Sequence, residues 1–294
     1  MSTLVAVDWG TSSLRAALLG PGGEVLQERS APRGIMAVPA GGFRAVFDEL
    51  CGDWMREAQR ALICGMAGSR QGWQEAPYCA CPAGLDALAR SLAWIAPQRI
   101  AIVPGLSCER DGVPDVMRGE ETQVLGALRL LGIGGDATLV LPGTHSKWVR
   151  AEQGRIAAFS TFMTGEFYAL LRKHSLLART MLADDGVLHE DAFRRGVAHA
   201  RNCGNLLNAA FSARTLALFE RIDAAALPSY LSGLVIGEEL RSQVRQGDAP
   251  LVLVGAPALT QRYALALDAW GVAARSVGTE ATWAGLRAIA DTLE

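Results

Sequence analysis

No stretch of the 294-residue sequence approaches the roughly 18 uninterrupted apolar residues that read as a membrane-crossing helix. No positively charged leader precedes the first apolar segment, LVAVDW, which follows directly on Met1-Ser2-Thr3, so a secretory signal is not expected. The formal charge is −2 and the two signs are interspersed, leaving no basic stripe to neutralise phosphates along a duplex. Six cysteines, at 51, 64, 79, 81, 108 and 203, lack C-x-x-C spacing, and the chain is too large to need disulfide staples. Cys79 and Cys81 flank a single alanine, but no second Cys/His pair lies nearby to complete a zinc site, so both read as structural. These absences predict a cytoplasmic protein with neither membrane nor nucleic acid as partner.

Half of the residues are hydrophobic and a fifth are charged, enough to bury a large core at a length near the limit for one domain. Two domains are expected, divided near residue 135 into 1–135 and 136–294. With so neutral a chain, an anionic small substrate has to be met by a few local cations.

The N-terminal part opens as a meander: LVAVDW (4–9), LRAALL (14–19) and, past a Pro-Gly-Gly turn, EVLQERS (24–30). Phe43, Val46, Phe47, Leu50 and Trp54 recur at helical spacing, and ALICGM (61–66) and IAIVPG (100–105) read as short buried strands. TLVLPG (138–143), KWVRA (147–151) and RIAAFSTF (155–162) repeat the meander: setting Gly143-Thr144 over Gly10-Thr11 brings the two into register within about a residue or two. Helical patterns dominate from 166 to 245. They are followed by strand LVLVG (251–255), helix 258–270, strand VAARSV (272–277) and a terminal helix from about 280. The fold class is therefore α/β, with a duplicated unit.

Five segments carry chemistry. In D-W-G-T-S-S (8–13) a strand delivers Asp8 to a tight turn: Asp8 suits a water-mediated Mg²⁺ shell, Gly10 admits phosphate oxygens to the backbone, and Thr11, Ser12 and Ser13 supply donors. A plain hairpin turn with Asp8 capping local amides is the alternative. P-G-T-H-S-K (142–147) offers the same turn from the second half, through Gly143, Thr144, His145 and Ser146, with Lys147 able to neutralise a phosphate or a substrate carboxylate. In the helix 118–131, Glu120 and Glu121 fall within the arc of the apolar face set by Val124, Leu125, Leu128 and Leu131. Acids in a first turn complement the helix dipole, yet an inward carboxylate can also take a proton from an attacking hydroxyl. V-L-V-G-A-P-A-L-T (252–260) ends a strand on Gly255, Ala256 and Pro257, small enough for a flat ring to lie close. The loop after Cys64 presents Ser69, Arg70, Gln71 and Trp73, and Arg70, Trp73, Arg118 and Lys147 are the candidates to hold a substrate carboxylate.

Taken in order, these pieces resemble the actin, Hsp70 and hexokinase superfamily. More closely, DWGTSSLRA, GMAGSRQGW, VPGL, DVMRGEETQ, PGTHSKWV, TFMTGE, HSLL, SGLVIGEE and LTQRYALAL make the chain similar to the 2-dehydro-3-deoxygalactonokinase family over nearly its whole length. The resemblance implies duplicated ribonuclease H-like domains of the actin-like ATPase fold, with an interdomain cleft. It also implies ATP and Mg²⁺ as cofactors, and phosphorylation of the 6-hydroxyl of the sugar acid 2-dehydro-3-deoxy-D-galactonate. It assigns Asp8 to the Mg²⁺ side, residues 10–13 and 143–146 to the two phosphate turns and 255–257 to adenosine. Glu120 becomes the candidate base, with Glu121 as its competitor because related sugar kinases carry Asp in that region. A homodimer is compatible with this reading. A nucleotide-gated assembly ATPase, or a kinase of the same fold acting on another small molecule, is the competing reading. The zinc signature C-x-C-G-x-x-G-C of one sugar-kinase branch is missing.

Overall fold

The computed structural model describes residues 2–182, 186–244 and 251–293. Its first half runs β1 (Leu4–Trp9), β2 (Leu14–Leu19), β3 (Val25–Ala31), α1 (Phe43–Cys51), β4 (Arg60–Gly65), β5 (Tyr78–Ala80), α2 (Leu85–Arg90), β6 (Ala93–Ala96), β7 (Ile100–Ile102), β8 (Gly105–Arg110), β9 (Val113–Met117) and α3 (Glu120–Leu131). The second half runs β10 (Ala137–Leu141), β11 (Ser146–Glu152), β12 (Arg155–Phe162), α4 (Thr164–His174), α5 (Glu190–Asn202), α6 (Leu206–Leu218), α7 (Leu227–Gln243), β13 (Leu251–Val254), α8 (Pro257–Asp268), β14 (Ala274–Val277) and α9 (Glu280–Asp291).

β1 is apolar at nearly every position because both of its faces are covered. It pairs antiparallel with β2 and parallel with β4, in a register that sets Asp8 opposite Arg15 on one side and Cys64 on the other. Val5, Val7 and Trp9 share a buried cluster with Phe43, Phe47 and Ile63. The sheet order is β3-β2-β1-β4-β7-β6, and the second sheet repeats its first four places as β12-β11-β10-β13, followed by β14. Each half thus lays a three-strand meander in reverse sequence order and then adds a strand that returns after helical chain. That repetition is the duplicated ribonuclease H-like pattern of the actin-like ATPase fold.

Two compact units emerge from the packing. One holds the chain up to Leu139 with Val149–Ser160 and everything from Val277 onward; the other holds Val140–Trp148 and Thr161–Ser276. α9 belongs to the first unit because it packs on α3 at two glycines. A Cβ at Gly126 would stand 1.8 Å from the Ala281 carbonyl oxygen, and one at Gly285 would stand 2.0 Å from that of Thr122. In the second unit, α7 is buried on all sides from Leu227 to Gly237, as expected of a helix with no polar face in that stretch. No helix among the described residues is long and apolar enough to cross a membrane.

A third sheet, β5-β8-β9, lies outside the elements read from the sequence. Its β8–β9 hairpin turns on Asp111 (φ 54°) and Gly112 (φ 77°), the doubly left-handed pair of a type I′ turn.

Candidate active site

The turn after β1 closes through a hydrogen bond from Gly10 N to Ser13 O at 2.9 Å. It is braced from behind by Ile35 N on Gly10 O at 3.0 Å and by the Trp9 indole N–H on Arg33 O at 2.9 Å. Thr11, Ser12 and Ser13 are left exposed on this braced backbone. Asp8 accepts from Arg15 Nη2 at 2.5 Å through Oδ2, while a Cβ on Gly65 would come within 3.4 Å of its Oδ1. Glycine at 65 is required by its φ of 89° and by the Trp9 carbonyl oxygen, which a Cβ would meet at 2.8 Å; glycine at 119 lets the two backbones run alongside, since a Cβ there would stand 3.2 Å from Gly65 Cα. The start of α3 is in this way brought against the ends of β1 and β4.

The two glutamates at that helix start differ sharply. Glu121 has no exposed surface; its Oε2 accepts from Gly119 N at 2.7 Å and its Oε1 from Thr122 Oγ1 at 3.1 Å. Burial, with the neighbouring Glu120 charge second, pushes its carboxyl up to about 8. Glu120 is half-buried, and its Oε2 accepts from the Arg118 backbone N–H at 3.0 Å. A proton acceptor needs access before it needs a suitable pKa, and only Glu120 has access. The shift at Glu121 has a consequence for stability. Between the ordinary value of 4.5 and about 8, the native state keeps a proton that the unfolded chain has released, so stability falls as pH rises through that window. Glu121→Gln is expected to melt with the parent protein at pH 4 and above it at pH 8, by on the order of a few kcal/mol, in thermal melts across that range. Parallel melting curves at both pH values would rule out a neutral Glu121.

The four candidate carboxylate binders part company. Arg70 is 83% exposed and pairs with Glu75 at 3.1 Å, a contact worth little in water. Trp73, partly buried, packs edge-on to Trp9 at 5.9 Å and against Phe47 at 5.5 Å, on the border of the first unit's core. Gln71 is exposed. Lys147 is buried and donates to Thr161 Oγ1 at 3.0 Å. Arg118 is held differently: Nη2 donates to Ala76 O at 2.8 Å, the guanidinium lies 4.3 Å from the Tyr78 ring centroid, and Nε and Nη1 are covered without an acceptor. The Ser69 hydroxyl is also buried and unpaired.

In the second unit, the turn 142–146 is clamped onto the start of α4. Glu166 N donates to Thr144 O at 3.0 Å, Glu166 Oε2 meets His145 Nε2 at 2.6 Å, and a Cβ at Gly165 would stand 2.4 Å from Gly143 O. Ser146 points the other way, donating to Glu239 Oε1 at 2.8 Å. Gly255, at φ 137°, ends β13, and Ala256 and Pro257 open α8 beside the end of β10, a Cβ at 255 standing 4.0 Å from Pro142 O. A cavity of about 230 Å³ opens within this unit, walled by Gly143, Thr164, Ser232, Leu259, Arg262 and Tyr263 among others. Arg262 reaches Ser232 Oγ at 2.9 Å.

Sequence reading missed Arg262, which lines this cavity, and Glu239, which holds the hydroxyls of Thr164 and Tyr263 in its wall. Glu239 and Arg262 lie in SGLVIGEE and LTQRYALAL, segments that carry the family resemblance but had no role attached. The available signal was an acid in the last turns of a helix otherwise apolar or small on every side, a position that burial makes costly unless donors surround it.

A profile of the family described as 2-keto-3-deoxy-galactonokinase matches residues 8–289. A Rhizobium meliloti (strain 1021) protein named "Probable 2-dehydro-3-deoxygalactonokinase DgoK1" is 40% identical over 97% of this chain and 95% of its own length. The Escherichia coli (strain K12) protein named 2-dehydro-3-deoxygalactonokinase is 36% identical over 97% of each. The crystal structure of a candidate 2-dehydro-3-deoxygalactonokinase from Sinorhizobium meliloti superposes with a TM-score of 0.91 at 39% identity, covering 99% of both chains.

Proposed function

Because the chain belongs to the 2-keto-3-deoxy-galactonokinase family, we propose that it moves the γ-phosphoryl group of ATP onto the 6-hydroxyl of 2-dehydro-3-deoxy-D-galactonate, giving 2-dehydro-3-deoxy-6-phosphogalactonate. The observation that carries the nucleotide half of this reading is the cavity that joins Gly143 of the second phosphate turn to the start of α8 at Leu259. A phosphate turn at one end and an apolar helix start at the other are the two chemistries an adenine nucleotide presents. Residues 255–257 then border the nucleoside, while 10–13 and 143–146 meet the phosphates through backbone N–H groups and the hydroxyls of Thr11, Ser12, Ser13 and Thr144, that of Ser146 being committed to Glu239. Residues 1–135 and 136–294 are read as the two duplicated domains, supported by the matching strand order of their sheets.

In the reaction, the substrate hydroxyl oxygen forms the new bond to the γ-phosphorus as the bond to the ADP oxygen breaks, and Glu120 takes the hydroxyl proton. Asp8 fits a Mg²⁺ ion. Among the described residues no group of three or more His, Cys, Asp or Glu is gathered for a metal, so the ion would be held as Mg²⁺ usually is, by one carboxylate, water and the nucleotide's phosphates. Bound there, it would neutralise charge on the phosphates. Arg118 is assigned to the substrate carboxylate, since two covered guanidinium N–H groups without an acceptor cost about 1–3 kcal/mol that an anion relieves.

A coupled assay of ADP release tests the reading: ATP consumption should depend on the sugar acid, and consumption indifferent to it would sink the kinase assignment. Arg118→Ala is expected to raise the sugar-acid KM by about 10- to 100-fold with the ATP KM little changed, and Arg118→Lys should not restore it, because an ammonium cannot present the paired N–H edge. A rise confined to Arg70→Ala would move the carboxylate site to the exposed loop.

A further inference from the structure

Among the described residues of the second unit Glu239 is the most heavily hydrogen-bonded acid, and nothing in the phosphoryl-transfer chemistry uses it. It stands on α7 with 4% of its surface exposed. Ser146 Oγ at 2.8 Å and Trp148 Nε1 at 2.6 Å donate to Oε1; Tyr263 OH at 2.7 Å and Thr164 Oγ1 donate to Oε2. The donors come from β11, α4 and α8. A hydroxyl has one proton to give and two lone pairs. With their protons committed to Glu239, Thr164 and Tyr263, both of which wall the cavity, have only lone pairs left for whatever enters it.

We infer that Glu239 sets the polarity of one wall of the cavity: by taking the protons of Thr164 and Tyr263 it makes their hydroxyls acceptors toward the cavity, so that this wall selects a hydrogen-donating part of the nucleoside. The inference rests on the kinase reading only in taking an adenine nucleotide as the occupant. Two parts of that nucleotide donate, the ribose hydroxyls and the exocyclic amine, whereas its phosphates only accept. Arg262, pinned to Ser232, supplies the donor side of the same wall. Glu239 is on this account a positioning residue, acting through the two hydroxyls rather than touching the nucleotide. A glutamine in its place keeps shape but offers an amide NH₂ along one edge. The hydroxyls facing that edge must then accept, and their protons turn toward the cavity.

Binding calorimetry on the full chain tests this without turnover, using the non-hydrolysable β,γ-imido analogue of ATP and its 2′-deoxy, 3′-deoxy and inosine counterparts. The wild type should bind at least one of the three modified forms about 10-fold more weakly than the parent analogue, and which one it is assigns the donor to the ribose or to the amine. In Glu239→Gln, folded by circular dichroism, that preference should shrink to about 3-fold or less. Should Glu239→Gln fail to fold, Tyr263→Phe, which removes one hydroxyl at constant shape, should shrink it likewise. Equal binding of all four analogues by the wild type overturns the inference, as does an undiminished preference in the folded variant. A wild type that shows the preference but phosphorylates no sugar acid keeps the inference and sinks the kinase reading.

Discussion

Asp8→Asn is expected to lower kcat by about 10²- to 10³-fold and to shift the Mg²⁺ dependence of activity to higher concentration, with the fold unchanged. The substitution preserves shape and removes one negative charge. What it takes from the native structure is small: the Asp8–Arg15 pair is partly exposed on both sides, and such pairs contribute about 0–1 kcal/mol. What it takes from the reaction is larger, because phosphoryl transfer depends almost wholly on positioning and on neutralising charge at the phosphates. The register of β1 between β2 and β4 fixes the carboxylate at the strand end. Titrating activity against Mg²⁺ at saturating ATP separates the two roles open to Asp8. If the variant loses activity but its Mg²⁺ midpoint does not move, Asp8 orients the turn 10–13 through Arg15 and does not serve the metal.

The strands that carry chemistry were legible in the sequence because burial on both faces leaves a dense apolar mark. LVAVDW, ALICG, TLVL and LVLV all stand where that mark predicts, and the reverse order of each meander follows from hairpin turns at Gly10–Ser13 and Gly143–His145. The β8–β9 hairpin was not legible in the same way. Its strands, GLSCER and VPDVM, pass between a buried and an exposed end without alternating, and IAIVPG reads as one strand whereas the chain leaves β7 after Ile102. The Asp111-Gly112 pair was the signal that could have found it. Helix periodicity placed Glu120 and Glu121 together on an inward arc, but it resolves direction only to a fraction of a turn. It could not tell that Gly119, at φ 104°, starts the helix so that the second glutamate is sealed and the first is not. Arg70 and Arg118 were equivalent as letters; the difference between an exposed ion pair and a guanidinium stacked on Tyr78 is tertiary. The donors around Glu239 lie 24 to 93 residues away from it, beyond any local pattern.

Glu120→Gln should lower kcat by about 10²- to 10⁴-fold, the range that a positioned general base contributes, while ATP binding and thermal stability stay close to the parent protein. The amide keeps the side chain's length and an oxygen to accept the Arg118 backbone N–H, so the entry into α3 is preserved. It has no basicity, so the attacking hydroxyl must lose its proton to solvent. Glu121→Gln is the necessary control, because the two residues are adjacent and share the helix start. Glu121 is sealed, with both oxygens engaged, and it is neutral below about 8, so an amide there replaces one uncharged acceptor with another and kcat should hardly move. The pair of variants therefore predicts opposite signatures: turnover without stability at position 120, stability at high pH without turnover at position 121. A folded but inactive Glu121→Gln beside a near-normal Glu120→Gln would transfer the base by one residue and require the helix start to open during the reaction. Normal turnover in both would remove the base from α3 altogether and leave phosphoryl transfer here to positioning and charge alone.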